Sequence, residues 1–326
     1  MLIERRSVLA MLGAAALAPP IWARGRASYP APDRELMVPV RGGRVYVRVN
    51  GDLASPRPPI ILAHGGPGGT HGGLLDALAL ADERAVILYD QLDSGRSDQP
   101  NDPANWTVKR FTDELELIRS ALRVPRWHVG GHSWGGTIAL EYSARRPAAL
   151  AGLVLASPLV STRSWLADAN ALRKQLPASI QATLARCEAR RPPPERTCET
   201  ATEAFYEQFN RREPPSDALI AYRSHSGAGF NPRLYQTMWG KTEFVSTGTL
   251  RTYDGEPLLA RIQGPKTLFI VGQYDEARPV TTATFAARLA GAEFAVVPGA
   301  AHGIFSDRPA ETIAILRAWL ARQDAA

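Results

Sequence analysis

The run Gly131-His132-Ser133-Trp134-Gly135-Gly136 sets a serine between glycines, after an apolar stretch over 127–129 and before a helix-like segment over 137–145. A serine lifted onto a tight strand-to-helix turn exposes its hydroxyl at the sheet edge, the arrangement known as a nucleophile elbow. The strained backbone of such a turn leaves no room for side chains two residues either side, and Gly131 and Gly135 meet that demand. The helix that follows begins with free N–H groups, so the amide of Trp134 is placed to face an oxyanion forming on a substrate. The competing reading is a glycine-rich turn with an incidental serine.

A serine nucleophile needs a base and a group that orients the base, and on this kind of turn they follow in the order acid, then histidine. Two histidines come after Ser133. His225 lies in the polar stretch 224–229 with no strand before it. His302 follows the apolar stretch 294–297 and the small-residue turn Pro298-Gly299-Ala300-Ala301, which puts it on a loop at a strand end. His302 is the expected base. By the same criterion Asp275 is the expected acid, because it follows the buried-strand pattern 267–271 and the turn Gly272-Gln273-Tyr274, whereas Asp168, Asp217 and Asp254 follow no such strand. Asp307 reads as the cap of a last helix starting near Arg308.

A second oxyanion donor is expected at an earlier strand-to-loop junction. The apolar stretch 60–63 runs directly into His64-Gly65-Gly66-Pro67-Gly68-Gly69, where glycines let the backbone approach a ligand closely. The amide of Gly66 is the expected donor, with Gly65 beside it as a substrate-binding position. A phosphate loop is disfavoured, since neither G-x-x-x-x-G-K-[ST] nor a spaced G-x-G-x-x-G opening a helix is present. His64 and His71 flank the loop without an H-E-x-x-H or comparable cluster, so no metal is expected and no organic cofactor is required.

These positions need a scaffold, and hydrophobic periodicity outlines one. Alternation over 35–40 and 45–49 around Arg41-Gly42-Gly43 reads as an antiparallel hairpin. Strands over 60–63, 85–89, 127–129 and 153–156 then alternate with helices over 108–122 and 137–145, which implies an α/β fold with a doubly wound, mostly parallel sheet. From 157 to 262 the chain is helical in pattern, Arg-rich and punctuated by proline, before the α/β rhythm resumes at Lys266. The expected organisation is an α/β core over 28–156 and 263–326, with 157–262 as a helical cap over the carboxyl edge of the sheet.

In combination, His64-Gly65-Gly66-Pro67-Gly68, Asp90-Gln91 with Gly95-Arg96-Ser97-Asp98, the serine run, and Gly272-Gln273-Tyr274-Asp275-Glu276 resemble the motif series of the proline iminopeptidase family of α/β-hydrolases, in order and over most of the chain. The resemblance implies a serine aminopeptidase that releases an N-terminal residue, often proline, from short peptides, or that acts on amino-acid amides. It further implies that Tyr235, Glu243 (followed by Phe244) and Glu276 contact the free amino group of the substrate. Two carboxylates in a partly desolvated pocket would give a cationic amine charge-assisted hydrogen bonds. A salt bridge of Glu243 with Lys241, and of Glu276 with Arg278, is the alternative for each. Two departures stand out: Trp239-Gly240-Lys241-Thr242 occupies the place where many members carry Gly-Pro before the Glu, and Asp93-Ser94 interrupts the small residues before Gly95. A preference for proline therefore does not follow.

Composition agrees with one large core plus an insertion: 326 residues with 45% hydrophobic content. The net charge of +6 comes partly from Arg5, Arg6, Arg24 and Arg26 and forms no basic stripe interleaved with aromatics, so nucleic acid is not an expected partner. Arg5-Arg6-Ser7-Val8-Leu9 and the apolar run to Ala18 resemble a twin-arginine export signal over 1–27, with the export machinery as partner and the periplasm or exterior as destination. An uncleaved anchor is the rival reading. Export would put the two cysteines, Cys187 and Cys198, in an oxidising compartment, which leaves both a disulfide and free thiols open. Three functional readings remain: an aminopeptidase or amidase, an esterase or lactonase of the same fold, and a non-catalytic binding protein on that fold. Oligomeric state has no signature in the chain.

Overall fold

A computed structural model of the chain describes residues 28–226 and 229–325. The export-signal reading falls on 1–27 and lies outside the described residues.

The first two strands, β1 (Arg34–Val40) and β2 (Gly43–Asn50), form the expected antiparallel hairpin. Strands β3 (Ile60–Ala63) and β4 (Val86–Tyr89) are short and buried at every position, as strands covered on both faces must be. Helix α1 (Val108–Leu122) starts where the Thr107 hydroxyl accepts the Arg110 amide, and it buries Phe111, Leu115, Ile118 and Leu122 on one face. It ends at Arg123 in the left-handed region, φ 56°. Next come β5 (Trp127–His132), α2 (Trp134–Ala144) and β6 (Leu150–Ala156).

Between β6 and the next strand, among the described residues, lie the α-helices α3 (Thr162–Leu172), α4 (Ala178–Cys187), α5 (Glu195–Phe209), α6 (Asp217–Ser226) and α7 (Pro232–Met238), with short 3-10 turns between and after them. The inserted segment carries its own apolar cluster, with Leu172, Leu184, Phe205, Phe209 and Phe244 packed together. A disulfide joins Cys187 to Cys198 across the Arg/Pro-rich loop, so the bridged reading of the cysteines holds. The α/β pattern then returns with β7 (Thr267–Gly272), α8 (Pro279–Ala287), β8 (Glu293–Val297), α9 (Ile304–Asp307) and α10 (Pro309–Asp324).

The sheet order is β1-β2-β4-β3-β5-β6-β7-β8, antiparallel through β1, β2 and β4 and parallel from β4 to β8. One apolar cluster covers each face, the first centred on Phe111, Trp134 and Leu140, the second on Leu78, Leu316 and Trp319. Parallel strands end on the same edge. The loops after β3, β5, β7 and β8 therefore converge, although the first follows Ala63 and the last Val297.

Two local expectations are corrected. Helix α2 begins at Trp134, not Thr137. Gly135 and Gly136 look like turn residues by propensity, but both are helical, and glycine is needed there because a Cβ at Gly135 would lie 2.1 Å from the Ala63 carbonyl oxygen and one at Gly136 2.8 Å from Pro158 Cβ. Asp307 does not cap the last helix, whose start lacks a side-chain cap. Its carboxylate instead accepts the amides of Arg212 (3.0 Å), Glu213 (3.1 Å) and Ala301 (2.8 Å), tying the loop after β8 to the insertion.

Gly135→Ala is expected to cost about 3 kcal/mol or more through overpacking against main chain. Gly73→Ala, where an added Cβ meets nothing within 4 Å, is expected to stay within about 1 kcal/mol. Urea midpoints of the two variants check the contrast.

Candidate active site

Ser133 sits between β5 and α2 with φ 58° and ψ −120°, a conformation costing a non-glycine residue roughly 1–3 kcal/mol. Its own backbone is held on both sides: its amide donates to Ala156 O (2.9 Å), and its carbonyl accepts the amides of Gly136 (2.8 Å) and Leu159 (3.1 Å). Gly131 is required here, since a Cβ would fall 1.9 Å from the Gly135 carbonyl oxygen. The turn thus aims the serine side chain into a cavity of about 900 Å³, which Gly65, Gly66, His132 and His302 also line.

The expected base and acid meet. His302 Nδ1 lies 2.8 Å from Asp275 Oδ1, and both side chains are buried. The acid is gripped from three further directions: the Ser157 hydroxyl donates to Oδ2 (2.5 Å), as does the Gly272 amide (3.0 Å), while the Ala277 amide donates to Oδ1 (2.9 Å). Burial pushes the Asp275 carboxyl up, but His302 and these donors outweigh it and hold the group below its usual range. His302 is buried as well, which opposes its charge, yet Asp275 and Glu276 raise it to about 9. His225, the discarded alternative, is exposed on α6.

The glycine loop lies against the serine turn. Gly65 packs so closely that an added Cβ would be 3.1 Å from Ser133 Cβ, and Gly66 has φ +118°, which favours glycine. Among the described residues, the amides of Gly66 and Trp134 have no protein acceptor. The Trp134 indole points away, fully buried, and donates to Gln91 Oε1 (2.8 Å), so only its main chain is available to the cavity. Gln91 in turn donates to the His64 carbonyl (3.1 Å). Asp90 accepts the His71 amide (2.8 Å) and the Arg96 amide (2.9 Å). The Asp90-Gln91 motif therefore braces the loop from beneath.

Glu243 and Glu276 both open on the cavity and both are buried, against the surface salt bridges considered for them. Arg278 turns to Asp168 instead (3.4 Å). Glu243 accepts hydrogen bonds from Trp165 Nε1 (3.0 Å), the Tyr206 hydroxyl (3.2 Å) and the Tyr235 hydroxyl. Glu276 accepts one from Asn210 Nδ2 (2.6 Å), and its Oε2 is buried without a donor. Burial and the nearby Glu243 push the Glu276 carboxyl up to about 8.

Several residues that sequence reasoning passed over belong to the site: Ser157, Trp165, Tyr206, Asn210 and His132. Apart from His132, which occupies a variable position of the serine motif, none lies in a motif with its own spacing rule, and Trp165, Tyr206, Asn210 and His132 reach the cavity from α3, the end of α5 and the end of β5. The ring of His132 lies 4.6 Å from that of His302, and its Nε2 bonds to the His302 carbonyl (2.8 Å). Burial and the charge of His302 lower His132 to about 4, which keeps it a neutral donor.

Fold and site together define the class: this is an α/β hydrolase, and the family model of the alpha/beta hydrolase fold matches residues 58–309. The chain is 36% identical over 284 residues to a proline iminopeptidase of Heyndrickxia coagulans, spanning 86% of this chain and 96% of that one. Among solved structures it is similar to VinJ, at 34% identity and TM-score 0.81 over 90% of this chain and 100% of that one. It is also similar to the proline iminopeptidase of Mycobacterium smegmatis, at 33% identity and TM-score 0.79 over 90% and 99%. The chain belongs to the proline iminopeptidase family.

Two histidines in ring contact are expected to titrate far apart, His302 near 9 and His132 near 4. Removing the carboxylate in Asp275→Asn is expected to lower the His302 midpoint by more than one pH unit. NMR titration of the imidazole resonances checks both.

Proposed function

We propose that the chain is a serine aminopeptidase that releases the N-terminal residue of short peptides, or hydrolyses amino-acid amides, through an acyl-enzyme on Ser133. The observation that carries this reading is a pair of buried carboxylates, Glu243 and Glu276, opening on the cavity that Ser133 and His302 share. An α-amino group is mostly cationic near neutral pH and is the natural counter-ion for such a pair. An ester or lactone without an amine would leave them uncompensated, at about 1–3 kcal/mol for each unmade hydrogen bond. The names of the relatives support the peptidase reading; proline as the released residue rests on those names alone.

In the mechanism, His302, oriented by Asp275, takes the proton of Ser133 as the hydroxyl attacks the scissile carbonyl. The amides of Gly66 and Trp134 stabilise the oxyanion of the tetrahedral intermediate. The imidazolium then gives its proton to the leaving amine, and water, activated by the same imidazole, hydrolyses the acyl-enzyme. Glu243 and Glu276, with Tyr235 beside them, fix the distance from amine to serine, so that only the first peptide bond is reached. The inserted helices act as the cap that keeps this chemistry out of bulk water.

Export is part of the proposal. Arg5-Arg6 with the apolar run behind it, and the Cys187–Cys198 bridge, are consistent with an oxidising destination. Cell fractionation with the chain confined to the cytoplasm would refute it.

An L-aminoacyl anilide is expected to be hydrolysed with kcat/KM at least about 100-fold above its N-acetylated form, matching a lost charge-assisted pair of about 3 kcal/mol. Ser133→Ala is expected to abolish turnover. Equal rates for the free and acetylated substrates would remove the amine from the account.

A further inference from the structure

Glu276 stands next to the acid that orients the base, yet it faces the other edge of the same imidazole. Its Oε1 lies 3.8 Å from His302 Nε2, the nitrogen that must accept the serine proton, while Asp275 holds Nδ1 at 2.8 Å. Both carboxylates are about 1% exposed, so little solvent screens either from the ring. Glu276 has one hydrogen-bond donor, Asn210, and a second oxygen with none. His302 is its ion-pair partner among the described residues.

The remaining charged and titratable groups around the cavity are of both signs. Glu243 faces it from the segment after α7, and the buried hydroxyls of Tyr206 and Tyr235 are bonded to Glu243. His132, from the end of β5, is neutral. Three cations line the cavity as well: Arg211, just past α5, which is paired with Glu203, Arg223 on α6 and Lys241 after α7. In the empty cavity the two charged groups in contact with the His302 ring nitrogens, Asp275 and Glu276, are therefore both acidic.

We propose that Glu276 is a positioning residue linking amine recognition to base strength: in the empty site it pairs with the Nε2 edge of His302 as an imidazolium, and an ammonium group bound by Glu243 and Glu276 takes the carboxylate over, so that the ring loses its proton to solvent and becomes a base. This rests on the amine-binding reading above. Protons and charge balance: the arriving ammonium adds one positive charge to the cluster, and the departing proton removes one. A molecule without an amine leaves His302 protonated and Ser133 without a base. The cavity thus selects for an N-terminal amine twice, once in binding and once in chemistry. The raised values of His302 and Glu276 agree with a cluster that retains protons while empty.

The sign of the test follows. The neutral ring is absent below its midpoint, so the acid limb of kcat/KM, which reports the free enzyme, is expected to lie above the acid limb of kcat, which reports the complex. With an L-aminoacyl anilide the gap is expected to be about one pH unit or more in the unaltered protein. In Glu276→Gln the two limbs are expected to converge because that of kcat/KM moves down. An unchanged gap in Glu276→Gln overturns the proposal while leaving amine binding intact. Equal hydrolysis of the N-acetylated anilide by the unaltered protein overturns the amine reading and the proposal with it. Should Glu276→Gln fail to fold, Ser133→Ala protein decides. Calorimetric binding of L-prolinamide in two buffers of different ionisation enthalpy is expected to show proton release near pH 7.5, with none for N-acetyl-L-prolinamide. Binding of L-prolinamide without proton release overturns the proposal.

Discussion

Burying several like charges around one imidazole is the constraint on which the rest of this molecule depends. Asp275, Glu276 and Glu243 are all buried around His302, where each additional negative charge is costly. The chain resolves neighbouring carboxyls in opposite ways. Asp275 is surrounded by the Ser157 hydroxyl and the Gly272 and Ala277 amides, donors that favour its charged form. Glu276, the next residue, has only Asn210 and an unpartnered oxygen, so burial and the nearby Glu243 raise it. Alternating direction along the turn after β7 sends one side chain beneath the imidazole and the other into the cavity.

Holding that cluster in register requires main chain from the insertion. Phe209 ends α5, where helix carbonyls lack internal partners, and its carbonyl accepts the amides of both Glu276 and His302 (3.1 Å each). Asn210 continues the clamp, its carbonyl accepting the Gly303 amide (2.8 Å) and its side chain donating to Glu276. Asp307 fastens the same junction from the other side through the Arg212, Glu213 and Ala301 amides. The helical segment is consequently bonded to the loops of the acid and the base, in addition to whatever cavity wall it supplies.

The serine is positioned by sterics. Gly131 and Gly135 approach within a distance that no Cβ tolerates, and Gly135 also lies against the end of β3. That contact sets the height of Ser133 relative to Gly65 and Gly66, so the serine and the glycine loop are located by one packing event. Trp134 anchors the arrangement with its indole on Gln91 and an edge-on contact with Phe111 at 5.9 Å between ring centres.

Much of this was readable in the chain. The bounds of α1 and β3 agree with their apolar periods, and Ser133, Asp275 and His302 follow strand ends in an order that short-range pattern conveys. The start of α2 and the part played by Asp307 were misread, because propensity and capping rules describe a segment alone, whereas Ala63, Pro158 and the Arg212 amide come from elsewhere. Ser157, Trp165, Tyr206 and Asn210 carry no local signal for the same reason. Local residue order alone thus determined the α/β alternation, the strained serine turn and the types of acid and base. Tertiary structure alone decided which carboxyl is raised and which is lowered, what faces the second nitrogen of His302 and how the insertion grips the loops, because desolvation and charge proximity are properties of three-dimensional neighbours.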